Sequence, residues 1–317
     1  MSNIKLGVSL YSLSSDFIKG RLNIEECLKT VADLGFKGIE IVAAQTVPEY
    51  PHPSDEWLYS FRDLLDKYDL VPVCYSAYID NGMRTERDMN REEIIQSTYN
   101  DMLYAKKAGF PIVRTQHSVS PEILEAMLPA CEQLDIKLTV EMHHPHYPRV
   151  DVWEQYIELM TKHTHLGVVP DFSIFQKKPH RLLVERLVRA GFREDKLNSV
   201  LEYHESQVPV AEVIRELSLT EEEAGYTEEL YEKFNPTPVE DLKTLIPISP
   251  YIHGKFYILD DGEHDPCIPY DEILPMIKEL GYSGYIAAEY EGHHFDMSVD
   301  TPTQLRNYAS IFRKYID

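Results

Sequence analysis

Cysteine is scarce in this chain, and its few copies are scattered. The four cysteines, Cys27, Cys74, Cys131 and Cys267, show neither a CxxC pair nor the density of a disulfide-stapled domain. Long apolar runs are also missing, and the first residues lead directly into a predicted strand, with no apolar leader. We therefore expect a protein of the reducing cytoplasm, with neither a membrane span nor a secretory signal.

Positive charge is in short supply. The 317 residues include 31 Lys and Arg against 53 Asp and Glu, a formal net charge of -22. Such a field repels phosphate backbones and anionic membranes, so we expect no nucleic-acid partner and no membrane partner. No Gly-rich phosphate loop is present, which favours a substrate without a phosphate group. The hydrophobic content of 43% is ordinary for a globular protein and is enough to build a core.

Apolar strands alternate with amphipathic helices along most of the chain. The pattern predicts eight strands, at Leu6–Leu10, Gly38–Val42, Val71–Ser76, Ile112–Thr115, 137–141, Leu166–Val169, Tyr251–Tyr257 and Tyr285–Glu289. Repeated strand-helix units form parallel sheets, because a helical crossover returns the chain to the same edge. Eight such units predict an α/β fold of the (β/α)8 TIM-barrel type.

The rhythm breaks between residues 172 and 248. This stretch contains no clear strand, but it has helical spacing at Arg181–Ala190 and Ala211–Leu217. Structureless loops of this length are uncommon in compact domains. We therefore predict one TIM-barrel domain over residues 1–317, with a helical insertion at 172–248 after the sixth strand.

Ligand-type side chains stand at the ends of four consecutive predicted strands: Glu141, Asp171, His253 and Glu289. Their spacing is close to the ~31 residues of one barrel unit once the insertion is removed. Strand ends meet at one rim of a barrel, and three carboxylates with one imidazole suit Mn²⁺, Mg²⁺ or Co²⁺. Any one of these residues alone is more commonly a structural ion pair. Together, however, the three carboxylates would repel one another without a cation.

Two residues near these ends are candidates for proton transfer and charge stabilisation. His143 lies two positions after Glu141, on the same side of an extended strand, and is a candidate base. Lys255 lies two positions after His253 and is a candidate to hold a negative substrate oxygen. Further polar groups suited to substrate binding are Tyr11, His117, His144 and Glu291.

Four motifs carry a family resemblance: 140–143 (VEMH), 169–172 (VPDF), 252–255 (IHGK) and 284–292 (GYIAAEYEG). With them the chain resembles the xylose isomerase-like TIM barrels, the sugar phosphate isomerase/epimerase superfamily. The resemblance spans residues 4 to 315 apart from the insertion. It implies one divalent cation, Mn²⁺ with Mg²⁺ or Co²⁺ as alternatives, on Glu141, Asp171, His253 and Glu289.

Within that superfamily, the insertion and the IHGKFY and EYEGH runs resemble the α subunit of bacterial C-glycoside deglycosidases. This resemblance implies cleavage of the C–C bond between a 3-oxo-glucosyl unit and an aromatic aglycone. It also implies Mn²⁺ and a small β-rich partner subunit, and we expect an oligomer.

Other functions remain open at this point. One alternative is a keto-sugar isomerase or 3-epimerase that uses the same metal-stabilised enediolate, with Glu141 and Glu289 moving the proton. Another is a non-catalytic sugar-binding subunit. Apurinic endonucleases share the fold, but they need more histidines and a basic groove, which the net charge argues against.

Overall fold

A computed structural model describes residues 4–82, 85–234, 237–260 and 265–316. The described residues contain eight strands, which form one parallel sheet in the order β6-β5-β4-β3-β2-β1-β8-β7. The strands are β1 Lys5–Ser9, β2 Gly38–Val42, β3 Val71–Ser76, β4 Ile112–Thr115, β5 Lys137–Met142, β6 Leu166–Pro170, β7 Tyr251–Phe256 and β8 Tyr285–Tyr290. This arrangement confirms the TIM barrel that the alternating pattern predicts.

The barrel closes at the seam between β6 and β7. Continuous ladders join all other neighbours, but at this seam the described pairing is a single bridge between Asp171 and His253. The backbone N–H of Asp171 donates to the carbonyl oxygen of Met142 at 2.9 Å, which holds the end of β6 beside β5. Two of the predicted ligand residues therefore meet at the point where the barrel closes.

Fourteen α-helices lie in the described part of the chain: α1 Ser14–Ile18, α2 Ile24–Asp33, α3 Ala43–Thr46, α4 Asp55–Lys67, α5 Arg91–Ala108, α6 Pro121–Leu134, α7 Asp151–Lys162, α8 Arg181–Arg189, α9 Glu194–Glu205, α10 Val210–Glu216, α11 Glu221–Lys233, α12 Leu242–Leu245, α13 Tyr270–Glu279 and α14 Thr301–Ile316. Side-chain caps begin several of them; Asn23 and Asn90, for example, each form a capping box with the glutamate three residues later. None of the described helices is long and apolar enough to cross a membrane.

The segment between β6 and β7 has an apolar cluster of its own. Residues of α8 to α11 and their connections, including Leu187, Leu197, Val213 and Leu230, pack together apart from the main core. Leu242 and Leu245 of α12 instead join the main core. α12 therefore takes the place of the barrel helix after β6. The division into a single domain with an insertion at 172–248 stays a prediction.

Predicted boundaries agree with the structure where the apolar pattern is strong, as at β2 and β3. Two helices of the insertion, α9 and α11, were not predicted. Their exposed faces are rich in charge, and only a few of their apolar residues are buried. The helical spacing of apolar residues in their sequences is therefore weak.

Close packing at the end of β8 gives a first testable prediction. An added Cβ at Gly292 would lie 2.0 Å from the backbone oxygen of Tyr257, so the backbone would have to shift to accommodate it. We expect Gly292→Ala to lower the free energy of unfolding by about 1–3 kcal/mol. Gly225 in α11 has nothing within 4 Å of the same position, so Gly225→Ala should be neutral or mildly stabilising. Thermal unfolding of both variants tests this, and equal melting temperatures would contradict it.

A buried carboxylate on α5 makes stability depend on pH. Asp101 is 2% exposed and accepts a hydrogen bond from the Tyr50 hydroxyl at 3.3 Å. Burial raises the pKa of Asp101 to about 7, while the Tyr50 hydrogen bond opposes this only in part. Because the folded-state pKa lies above the unfolded one, the contribution of this group is fully present below about pH 4 and is lost as pH rises through 7.

Asp101→Asn removes that dependence. The free energy of unfolding of the variant, relative to that of the wild type, should increase by about 3 kcal/mol as the pH is raised from 5 to 8. Urea unfolding at both pH values measures this difference, with Asp63→Asn on the exposed face of α4 as the control. If the stability difference between Asp101→Asn and the wild type does not change with pH, the carboxylate is not titrating as described.

Candidate metal centre

Four side chains meet at the C-terminal rim of the barrel. Glu141 is on β5, His253 on β7 and Glu289 on β8, and Asp171 directly follows β6. One ligand atom from each lies within 4.8 Å of those of the other three, and all four residues are buried. A parallel barrel brings these strand ends together, which is why residues far apart in sequence share one site.

The His253 ring is at the centre of this group. Its Nδ1 atom lies 2.8 Å from Glu141 Oε1, 3.2 Å from Glu289 Oε2 and 3.8 Å from Asp171 Oδ2. Burial lowers the pKa of His253, but Glu289 and Glu40 outweigh it and raise the pKa well above its ordinary value. In the protein alone, Nδ1 of His253 is therefore protonated and faces the carboxylates. A cation bound there would replace that proton, since metal ligands bind deprotonated.

Glu40, on β2, holds the other side of the ring. The His253 Nε2–H donates to Glu40 Oε2 at 2.7 Å, and the hydroxyls of Ser76 and Tyr251 also donate to this carboxylate. Burial raises the pKa of Glu40, but His253 and Arg114 outweigh it, so the carboxylate is ionised. With Nε2 occupied in this way, Nδ1 faces the three carboxylates, the orientation in which a histidine binds metal.

Arg114 of β4 ties Glu40 and Glu141 into one network. Its side chain is 1% exposed; Nη1 donates to Glu141, Nε donates to Ser76 Oγ at 2.7 Å, and Nη2 donates to the Tyr78 hydroxyl at 2.7 Å. Burial raises the pKa of Glu141, but Arg114 and His253 lower it to about 2. Glu141 is therefore charged throughout the physiological range.

Lys255 supplies the second permanent cation. Its Nζ lies 2.9 Å from Glu289 Oε2, 3.2 Å from Glu291 Oε2 and 3.4 Å from Asp171 Oδ2. Burial lowers the pKa of Lys255, but these carboxylates raise it well above its ordinary value. Lys255 is therefore a proton-bearing donor rather than a base.

Charge balance and hydrogen bonding both fit a divalent cation. Four buried carboxylates face two permanent cations: Glu40, Glu141, Asp171 and Glu289 against Arg114 and Lys255. With His253 neutral, these buried groups carry two net negative charges, and the partly buried Glu291 beside Lys255 adds a third, so a divalent ion would neutralise most of this charge. Asp171 Oδ2 and Glu289 Oε2 accept no hydrogen bond, and the Lys255–Glu289 contact is an ion pair without hydrogen-bond alignment. Hard oxygen ligands with one imidazole suit Mn²⁺ or Mg²⁺ better than a thiolate-binding metal.

His143 lies at the mouth of the barrel, just beyond β5. Its Nδ1–H donates to the carbonyl oxygen of His144 at 2.6 Å, and its Nε2 lies 4.0 Å from Glu141 Oε2. In the neutral ring, Nε2 then carries a lone pair beside the cluster. The His144 side chain is half-buried, and burial lowers its pKa to about 4, so this ring is uncharged at neutral pH.

The remaining predicted residues separate into two groups. The Tyr11 hydroxyl lies 3.4 Å from Glu291 Oε1 and 2.6 Å from His294 Nε2, so Tyr11 and Glu291 share the wall beside Lys255. The ring of His117 packs instead on His146, with centroids 4.7 Å apart. Of the candidate substrate-binding residues, Tyr11 and Glu291 therefore contact the Lys255 side of the cluster, whereas the described contacts of His117 are with His146 and with Tyr156 of α7.

Sequence reasoning missed Glu40 and Arg114 as members of the site. A charged residue inside a short apolar strand was the available signal, since Glu40 sits within GIEIV and Arg114 within IVRT. Charged residues are almost never fully buried unless they are paired.

Comparison with known proteins agrees with this architecture. A family model described as xylose isomerase-like TIM barrel matches residues 28–200, more than half of the chain. The chain belongs to the xylose isomerase-like TIM-barrel family. The resemblance carried by the four sequence motifs is thereby confirmed at the level of the family.

Curated relatives match the chain over nearly its full length. The C-glycoside deglycosidase alpha subunit of Arthrobacter globiformis is 30% identical, and the alignment covers 100% of this chain and 93% of the relative. The 3'-dehydrocarminate deglycosidase alpha subunit of Microbacterium sp. is 29% identical, with 93% and 90% covered.

Solved structures share the fold at low identity. D-psicose 3-epimerase from Clostridium cellulolyticum, with D-tagatose, has a TM-score of 0.63 and 11% identity, covering 98% of this chain and 99% of its own. The IolI protein with a bound zinc atom has a TM-score of 0.61 and 16% identity, with the same coverage.

Proposed function

We propose that this protein is the catalytic subunit of a C-glycoside deglycosidase, a metal-dependent carbon–carbon lyase acting on 3-oxo-C-glycosides. The observation that carries the proposal is the full-length similarity to curated alpha subunits, together with a buried Glu-Asp-His-Glu set at the barrel rim. The relatives are named deglycosidases, and D-psicose 3-epimerase, which shares the fold, is named for a sugar.

The residues that would hold the cation are Glu141, Asp171, His253 and Glu289. We assign one divalent ion to them, most simply Mn²⁺. When bound, such an ion supplies Lewis-acid polarisation of a carbonyl, which makes the neighbouring C–H acidic. Glu40 and Arg114 hold His253 and Glu141 in the orientation that this role requires.

His143 takes the base role. Its Nε2 accepts the proton from the carbon that lies between the sugar ketone and the carbon bearing the aglycone. Lys255 donates a hydrogen bond to the ketone oxygen as negative charge develops there. Its permanent positive charge stabilises that negative charge. Tyr11, Glu291, His144 and His117 are proposed to position the substrate.

Bond cleavage follows from that proton transfer. The electron pair left on the deprotonated carbon forms a carbon–carbon double bond to the neighbouring ring carbon. The bond from that ring carbon to the aglycone breaks, and the aglycone carbon takes up a proton. The products are a free aromatic aglycone and an unsaturated 3-oxo sugar.

The name alpha subunit carried by the relatives supports a second subunit for this protein as well. We propose a small β-rich partner and an oligomeric enzyme. The complex is expected to act in the cytoplasm.

Product analysis tests the proposed reaction. The Mn²⁺-loaded protein, with and without its co-expressed partner subunit, is incubated with a 3-oxo-C-glucoside and a panel of keto sugars. Released aglycone, detected by mass spectrometry, would support the lyase. A rearranged sugar with no cleavage would identify an isomerase or epimerase instead. If the complete complex converts neither kind of substrate, the catalytic assignment is wrong and a sugar-binding subunit is the better description.

A further inference from the structure

A cavity of about 720 Å³ is lined in part by Tyr11, whose ring lies near Lys255. It is formed by the segment after β1, by Gln45 of α3, by α8, and by the segment after β8 that contains His293 and Phe295. Cavities of about 300–1,000 Å³ hold drug-sized aromatic molecules.

Positive charge is concentrated around this cavity. Its lining contains Lys19, Arg186 and Arg189 but one acidic residue, Asp296, whereas the chain as a whole carries a net charge of -22. In the described part of the chain, neither arginine has a carboxylate within ion-pair distance. Asp296 Oδ1 already accepts hydrogen bonds from the Ser298 backbone N–H and hydroxyl, at 2.8 and 2.6 Å. Both arginines are exposed and, among the described residues, have no ion-pair partner at close range, although Arg189 interacts at longer range with Asp296.

Its inner wall combines aromatic rings with an unused polar atom. His293 is 9% exposed, and its Nδ1 has no hydrogen-bond partner, although its Nε2 lies 3.4 Å from Ser14 Oγ. The guanidinium of Arg186 lies 5.7 Å from the ring centroid of Phe295. An aromatic ligand with a polar substituent matches both features.

Tyr11 forms a common wall between this cavity and the candidate catalytic groups. It lines the cavity, while Lys255 Nζ lies 5.9 Å from its ring centroid. Lys255 in turn contacts Glu289 of the ligand set. A group directly bonded to a sugar carbon at the metal centre would therefore lie next to this cavity.

We propose that this cavity binds the aglycone and selects aromatic aglycones that carry an anionic group such as a carboxylate. The proposal rests on the deglycosidase function. Arg186 and Arg189 bind the anion, because a guanidinium forms paired, charge-assisted hydrogen bonds with a carboxylate. The rings of Tyr11 and Phe295 contact the aromatic face.

A binding experiment tests this selectivity without turnover. Affinities of the Mn²⁺-loaded complex for anthraquinone-2-carboxylate and for its uncharged carboxamide are measured by calorimetry. The carboxylate should bind more tightly to the wild type. The double variant Arg186→Gln/Arg189→Gln should lose about 10–100-fold in carboxylate affinity with little change for the carboxamide.

Arg215→Gln, which alters an exposed arginine of α10 outside this lining, is the matched control and should bind both probes as the wild type does. Equal affinity for acid and amide in the wild type would overturn the proposal. So would equal losses for both in the double variant. If inorganic phosphate binds in an arginine-dependent manner and the aromatic acid does not, the cavity is a phosphate site and the proposal fails.

Kinetics separate this inference from the proposed function. With carboxylated 3-oxo-C-glycosides, the double variant should raise KM by the factor seen in binding and leave kcat unchanged. With neutral aglycones, KM should not move. If no C-glycoside is cleaved but the binding preference is present, the deglycosidase function fails while the anion-selective cavity remains. If C-glycosides are cleaved but the carboxylate is not preferred, the anion-selective cavity fails while the deglycosidase function remains.

Discussion

Asp171→Asn is expected to abolish metal binding and to lower kcat/KM by about 10³-fold, since metal polarisation of a carbonyl supplies several kcal/mol. Asp171 is fully buried, and its Oδ1 accepts a hydrogen bond from the Ser173 backbone N–H at 2.6 Å, which the asparagine oxygen can keep. The substitution therefore removes one anionic ligand atom, Oδ2, with little change of shape. Titration of chelator-stripped protein with Mn²⁺, followed by electron paramagnetic resonance, measures the affinity.

The metal-free Asp171→Asn variant should be at least as stable as metal-free wild type. The buried carboxylates repel one another, and burial raises the pKa of Asp171 above its ordinary value. Asp135→Asn is the matched control: this side chain is 90% exposed, and the residue has φ 51, a backbone conformation that asparagine tolerates. Normal Mn²⁺ affinity in Asp171→Asn would remove Asp171 from the ligand set.

His143→Gln is expected to keep the metal and to lower kcat by about 10²–10⁴-fold, the usual contribution of a general base. The glutamine amide fills similar space and can hydrogen-bond, but it cannot accept the substrate proton. Measurements of kcat and of Mn²⁺ affinity on the same preparation distinguish the two roles. Metal affinity that falls together with turnover would make His143 a ligand instead of the base.

His165→Gln is the control for this variant. The two histidine side chains are equally exposed, 34% for His143 and 33% for His165, but His165 precedes β6 at the opposite end of the barrel. Its replacement should leave kcat unchanged. A comparable loss in both variants would indicate a general effect on the fold rather than on proton transfer.

The fold was predictable because its signal is redundant. Buried parallel strands are short apolar runs separated by amphipathic helices, and eight repetitions point to one architecture. A strand end can likewise be read from the sequence, and in a barrel all strand ends share a rim. Glu141, Asp171, His253 and Glu289 therefore emerged as neighbours although more than a hundred residues separate the first from the last.

The partners of these residues could not be predicted in the same way. The hydrogen bond between Glu40 and His253 joins β2 to β7 across the barrel interior, and strand order alone does not indicate which interior side chains meet. Helices α9 and α11 were not predicted because their apolar residues show only weak helical spacing. A narrow apolar stripe on each helix is enough to form the small separate cluster. The cationic cavity combines residues from four distant segments, and the sequence of each segment does not indicate that it meets the others.

We propose that His143, beside the buried cluster, removes a proton from the carbon between the sugar ketone and the carbon that bears the aglycone, and hydrogen exchange at that carbon tests this most directly. The complete complex is incubated in D₂O with a 3-oxo-C-glucoside, and deuterium in the recovered substrate is followed by nuclear magnetic resonance. We predict exchange at this one carbon with Mn²⁺ present, none after chelation, and none in His143→Gln. Aglycone release that persists after chelation, with no exchange in any sample, would contradict the account.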